Sequence, residues 1–177
     1  ALAHYREAEA FLTGYWLIDE HVAEILTLQG KTDEAKALYL DIIERTKNPE
    51  FMDAIAGILL EEGNDEGANA YVARARKRYE EQTANYPAAA YGHALGHAIE
   101  FGADPAFVLE LAKKNYALRP NHDASIMLAQ AHLQAGDAKA AEKALEKILK
   151  SKFTSAELFV TAAEVHSALS NGKKAST

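Results

Sequence analysis

Apolar and polar positions alternate along this chain with a helical period, and glycine interrupts the alternation at nearly regular intervals. Gly30 closes Leu26-Thr27-Leu28-Gln29 and is followed by Lys31-Thr32-Asp33-Glu34-Ala35. Gly63 recurs between Glu61-Glu62 and Asn64-Asp65-Glu66, and Gly136 stands between Leu133-Gln134-Ala135 and Asp137-Ala138. Each glycine stops an amphipathic helix, and the acidic or small polar stretch after it starts the next. Alanine recurs at fixed offsets: Ala35, Ala68 and Ala141 lie five residues after a glycine, and Ala23, Ala56 and Ala129 seven before one. Small residues there let two helices approach closely once per unit. The pattern predicts helices ending near Gly30, Gly63, Gly102 and Gly136, with no strand in the core. About six extra residues sit around positions 80–87. There the helix from Asp65 is expected to run long, to about Thr83, with Pro87 in the first turn of the next.

These spacings resemble the tetratricopeptide repeat, a helix–turn–helix unit of about 34 residues. Its second helix carries a small residue, a large one four positions on, and a small or apolar one three further. Here that reads Ala35-Tyr39-Ile42, Ala68-Val72-Ala75 and Ala141-Leu145-Ile148, and Ala1-Tyr5-Ala8 stand one unit length before the first of these. The third unit has Leu95-Gly96 and Leu118-Arg119-Pro120, with Val108 and Asn115 in place of small residues. Ala163, His166 and Ala175 follow Ala129, His132 and Ala141 at the same interval. The resemblance implies an all-α protein, a right-handed α-solenoid of about four and a half stacked antiparallel helix hairpins. It would be a single repeat domain over 1–177, with a partial repeat at 1–14 and repeats over about 16–48, 49–87, 89–120 and 122–154. A partial repeat or capping helix would cover 155–177. The chain starts at Ala1 inside a repeat, which reads as part of a longer array.

Composition narrows the function classes. Alanine is the commonest residue, against four prolines and ten glycines, as an all-helical chain requires. The formal charge is −7, from 26 acidic and 19 basic residues, so a phosphate backbone is repelled on average. No nucleic-acid partner is expected, although a local basic patch remains compatible with that balance. The longest clean apolar run, Ala54 to Leu60, is far too short to span a membrane. There is no cysteine, hence no disulfide, thiol nucleophile or thiolate metal site. Such a chain fits either side of a membrane, with a soluble, cytoplasmic setting favoured over the periplasm.

In tetratricopeptide arrays the first helix of each unit lines a concave groove. By resemblance, the groove positions lie ten and six residues before the inter-helix glycine, four apart and therefore on one helix face. They are Glu20 and Glu24, Asp53 and Gly57, His93 and His97 (counted from Ala103), then Ile126 and Gln130, with His21, Glu61, Glu100 and Met127 beside them. The expected groove is acidic at its N-terminal end, carries imidazoles in the middle and turns apolar towards the C-terminus. Carboxylate rows attract cationic side chains and reject acidic ones. Relatives that capture chaperone carboxylates use Lys and Asn at these positions, so that role is not expected here. The resulting expectation is a protein- or peptide-binding scaffold whose partner carries basic residues, with no cofactor and no catalysis.

The alternative chemistry lies in His93-Ala94-Leu95-Gly96-His97. Two histidines four apart on a helix can place imidazole nitrogens on one zinc or nickel ion, and Asp53 is a candidate third ligand. No glutamate follows the first histidine, as a zinc peptidase would need. His132 and His166 occupy an interhelical packing slot of the repeat. No glycine-rich phosphate loop or G-x-S-x-G turn is present.

Overall fold

Gly30 and Gly63 adopt φ of 72° and 75°, the left-handed region that side chains with a Cβ avoid. Each reverses the chain in a Schellman turn. Lys31 N–H reaches back to the Leu26 carbonyl at 2.9 Å, and Asn64 N–H to that of Leu59 at 2.8 Å. The same turn recurs where Asp137 N–H donates to His132 and Ala103 N–H to Ala98. Helix starts follow from short polar caps. Asn48, Asp104, Asn121 and Asp137 each accept a backbone N–H from the first turn of the next helix, and Pro49, Pro87 and Pro105 occupy first turns.

The structure, a computed structural model, describes residues 1–174; Ala175, assigned above to a repeat position, lies outside them, as does the rest of the expected 155–177 segment beyond 174. Among the described residues there are ten α-helices and no strand. They are α1 (Leu2–Phe11), α2 (Trp16–Leu28), α3 (Thr32–Thr46), α4 (Pro49–Glu61), α5 (Asp65–Asn85), α6 (Pro87–Glu100), α7 (Pro105–Leu118), α8 (His122–Gln134), α9 (Ala138–Leu149) and α10 (Ala156–Lys174). The long α5 absorbs the extra residues and ends at Asn85 rather than near Thr83. No helix among the described residues is long and apolar enough to cross a membrane.

The chain divides into two compact units, Ala1–Glu81 and the residues from Gln82 onward, and α5 runs across the boundary. In the first, α1 packs on α2, α2 on α3 and α3 on α4. In the second, consecutive helices from α6 to α10 pack on one another, and α8 also touches α6 and α10. This is an all-α helical repeat, in which each apolar face is buried by a chain neighbour.

Ala23, Ala35, Ala56, Ala68, Ala129 and Ala141 are all fully buried, as close helix crossings demand. In the first unit Phe51 lies between Trp16 and Tyr39, with ring centroids 5.7 and 6.3 Å away. In the second, Ile126, Ala129, Ala141, Leu145, Ile148, Leu158 and Val165 form the core. The expected register fails on α10. It buries Leu158, Thr161 and Val165, whereas Ala163 and His166 are exposed. Their packing slot needs a following helix behind it, and among the described residues none comes after α10.

Candidate functional site

On α2, Ile18, Val22, Ala23 and Leu26 turn into the core, which leaves Glu20 and Glu24, one helical turn apart, on the uncovered side. Glu24 is exposed and accepts a 2.9 Å hydrogen bond from His21 Nδ1, whose ring lies 5.0 Å from that of Tyr5. Glu20 is half-buried. Burial pushes its carboxyl above the usual range, the charges of Glu24 and Glu50 add to that shift, and His21 opposes it. The same field reaches the phenol of Tyr39, which burial first, then Glu24 and Glu20, push up to about 12, with the Thr27 hydroxyl offsetting part. Glu50 stands in the first turn of α4, so α2 and α4 bring their carboxylates to one side.

Asp53 lies one turn beyond Glu50, half-buried, and accepts a 2.8 Å hydrogen bond from the hydroxyl of buried Tyr79. One turn further, a Cβ added at Gly57 would meet nothing within 4 Å, so the face stays open there. Glu20, Glu24 and Asp53 thus occupy accessible or half-buried positions on α2 and α4.

The second unit treats its candidates differently. His93 is exposed, but His97 is only 6% exposed and its ring lies 5.2 Å from that of Phe101. The buried sector of α6 widens towards its C-terminal half, taking in Ala94, Leu95, His97 and Ala98, because α8 crosses there. Met127 of α8 stands 3.8 Å from where a Cβ on Gly96 would be. The two histidines therefore do not present a matched pair of imidazoles to open space. Among the described residues no group of three or more His, Asp or Glu side chains could hold a metal ion.

Ile126, expected at the apolar end of the groove, is 1% exposed and belongs to the core, so it offers no surface to a ligand. Gln130 is half-buried, and its amide donates to Glu157 and to the hydroxyl of Thr161, both at 3.3 Å. His132 keeps a half-buried packing position, where burial pushes its imidazole below the ordinary value. What the repeat register did not reveal is a cationic cluster at the end of α3 and along α5, made by Lys47, Arg74, Lys77 and Arg78. Its only trace in the sequence is the run Arg74-Ala75-Arg76-Lys77-Arg78.

No protein-family model matches this chain, and no curated protein matches it.

Proposed function

We propose that this chain is a tetratricopeptide-type scaffold that binds, without catalysis, a peptide or protein segment bearing basic side chains, on the acidic face of α2 and α4. The observation that supports this reading is the state of Glu20 and Glu24. Nearby carboxylates of the first unit do meet cations: Asp33 and Glu62 pair with Lys36, and Asp19 and Asp41 with Arg45. No lysine or arginine pairs with Glu20 or Glu24 among the described residues, and Glu20 is held half-buried in the field of two further carboxylates. A lysine or arginine brought by a partner relieves that repulsion, whereas an acidic segment increases it. Rigid helices carry both residues, so the geometry is set before binding.

Fluorescence anisotropy with a labelled lysine- and arginine-rich peptide tests the reading. Glu20→Lys combined with Glu24→Lys should abolish binding, and His93→Ala should leave it intact. Affinity should fall with added salt, since exposed charges are screened over about 10 Å at 0.1 M. Binding that survives the double substitution would overturn the assignment.

A further inference from the structure

The second hairpin of the first unit repeats the first at a constant offset, which sets Gly63 against Gly30 and Arg78 against Arg45, and at one place the repetition reverses sign. Arg45, in the last turn of α3, donates from Nη1 to the Gly14 carbonyl at 2.8 Å, from Nε to Asp41 at 2.8 Å, and from Nη2 to Asp19. Its counterpart Arg78, on α5, likewise donates from Nε to the Lys47 carbonyl at 3.2 Å. The backbone acceptor is kept, but both carboxylates are gone. Met52 stands in the place of Asp19 and Arg74 in that of Asp41, while Lys77 replaces Glu44 and Lys47 replaces Gly14. Lys47 holds φ 54° there, and is the one non-glycine residue with positive φ among the described residues. A cation has thus been placed where the backbone favours glycine.

Lys47, Met52, Arg74, Lys77, Arg78 and Glu81 line an open hollow of about 330 Å³. Glu81, the acid among them, meets Arg78 Nη1 at 2.6 Å, and Lys47 pairs with Glu44 at 3.0 Å. No carboxylate pairs with Arg74 or Lys77 among the described residues, and Arg74 lies over the ring of Tyr71 at 5.0 Å. A chain of net charge −7 has gathered four cations around one acid.

We propose that this hollow binds a peptide segment carrying adjacent Asp or Glu side chains, whose carboxylates take on Arg78 and Arg74 the place that Asp19 and Asp41 take on Arg45. Guanidinium groups favour carboxylates through paired, charge-assisted hydrogen bonds. The first hairpin shows that side-chain carboxylates from two different elements fit this corner of the repeat. The hollow is open, and its cations run from the end of α3 along more than a turn of α5. That layout suits successive carboxylates on an extended segment better than one compact anion.

The test uses the full chain and a short fluorescein-labelled peptide of alternating Asp and Glu, followed by anisotropy at low ionic strength. The wild type should bind it. Arg74→Asp with Lys77→Glu, which copies Asp41 and Glu44 into the second hairpin, should lower affinity by at least about tenfold. Arg74→Gln with Lys77→Gln should also weaken it, which shows that attraction was removed and not merely repulsion added. Both changes lie on exposed positions, and unchanged circular dichroism and melting would verify the fold. Lys139→Glu with Lys143→Glu, the same kind of charge reversal on exposed positions of α9, should leave affinity unaltered. Four results would overturn the proposal. They are no binding by the wild type, equal loss in the α9 variant, full binding by the glutamine variant, or displacement of the peptide by inorganic phosphate at concentrations below the peptide's own.

Discussion

The hydroxyl of Tyr79 on α5 donates a 2.8 Å hydrogen bond to the carboxylate of Asp53 on α4, 26 residues earlier. Arg45 and Asp19 meet at the same separation in the preceding hairpin, as do Lys36 and Glu62 across its far turn. The repeat geometry brings residues at this spacing together, and the chain uses that proximity for polar contacts that tie successive helices. Because Tyr79 is buried and its acceptor is a carboxylate, the bond is worth more than a neutral surface one. Tyr79→Phe should cost about 1–2 kcal/mol in denaturant unfolding. A loss below about 0.3 kcal/mol would mean that the hydroxyl contributes only packing.

Ala35 and Ala141 are fully buried in their separate units, at positions where the repeat brings helices close. Replacing either with Leu adds three carbons, which the facing helix must move to accommodate. Each variant should lose roughly 1–3 kcal/mol and lower the melting temperature. Ala163→Leu, at an exposed position of α10, should by contrast be nearly neutral. If all three melt alike, the crossings are looser than their burial indicates.

The contrast between Ala35 and Ala163 also shows how much of the fold could be read from residues alone. A left-handed turn residue and a small residue at a crossing are local requirements, so glycine and alanine spacing located the helix ends and the six buried alanines. Whether a repeat position is covered is not local. Ala163 and His166 keep the spacing of Ala129 and His132 but have no helix behind them among the described residues. His97 and Ile126 share the spacing of Glu24 and Glu20, yet neighbouring packing takes both out of reach. The acidity of α2 was legible because charge needs no packing to be seen. The reversed corner at Arg78 was not, since a basic run gains meaning only beside the partners of Arg45, which lie 4, 26 and 31 residues away from it.

Lys47 offers a test in which stability and affinity should move in opposite directions. Its left-handed backbone, at φ 54° and ψ 21°, strains a residue with a Cβ, and Gly14 occupies the equivalent position without that strain. Lys47→Gly relieves the strain but adds glycine's entropy to the unfolded chain, for a net gain of a few tenths to about 1 kcal/mol. The same substitution removes one cation from the hollow beside Arg78, so affinity for an acidic peptide should fall. A variant that is less stable than the wild type would show that the Lys47 side chain holds the end of α3 in place, and that its contacts outweigh the strain.

Glu20 carries the pH signature of the acidic face. Its carboxyl is raised above 4.5, first by burial and then by Glu24, with Glu50 adding and His21 opposing. In the window between 4.5 and the raised value the folded chain holds a proton that the unfolded chain releases. Stability from this group therefore increases as pH falls through that window and is lost as pH rises above it. At neutral pH the ionised carboxylate opposes folding, so Glu20→Gln should melt at a higher temperature than the wild type. The difference should shrink as pH falls towards 4.5 and below, where the wild-type carboxyl is itself protonated. The same substitution should weaken binding of a basic peptide, because the partner loses one of the charges it would neutralise. Thermal melts of both proteins across that range, run beside anisotropy titrations, read the two effects separately. A carboxylate that costs stability and returns it as affinity is retained for recognition. A Glu20→Gln protein that gains stability yet binds as before would reduce Glu20 to a misplaced surface charge.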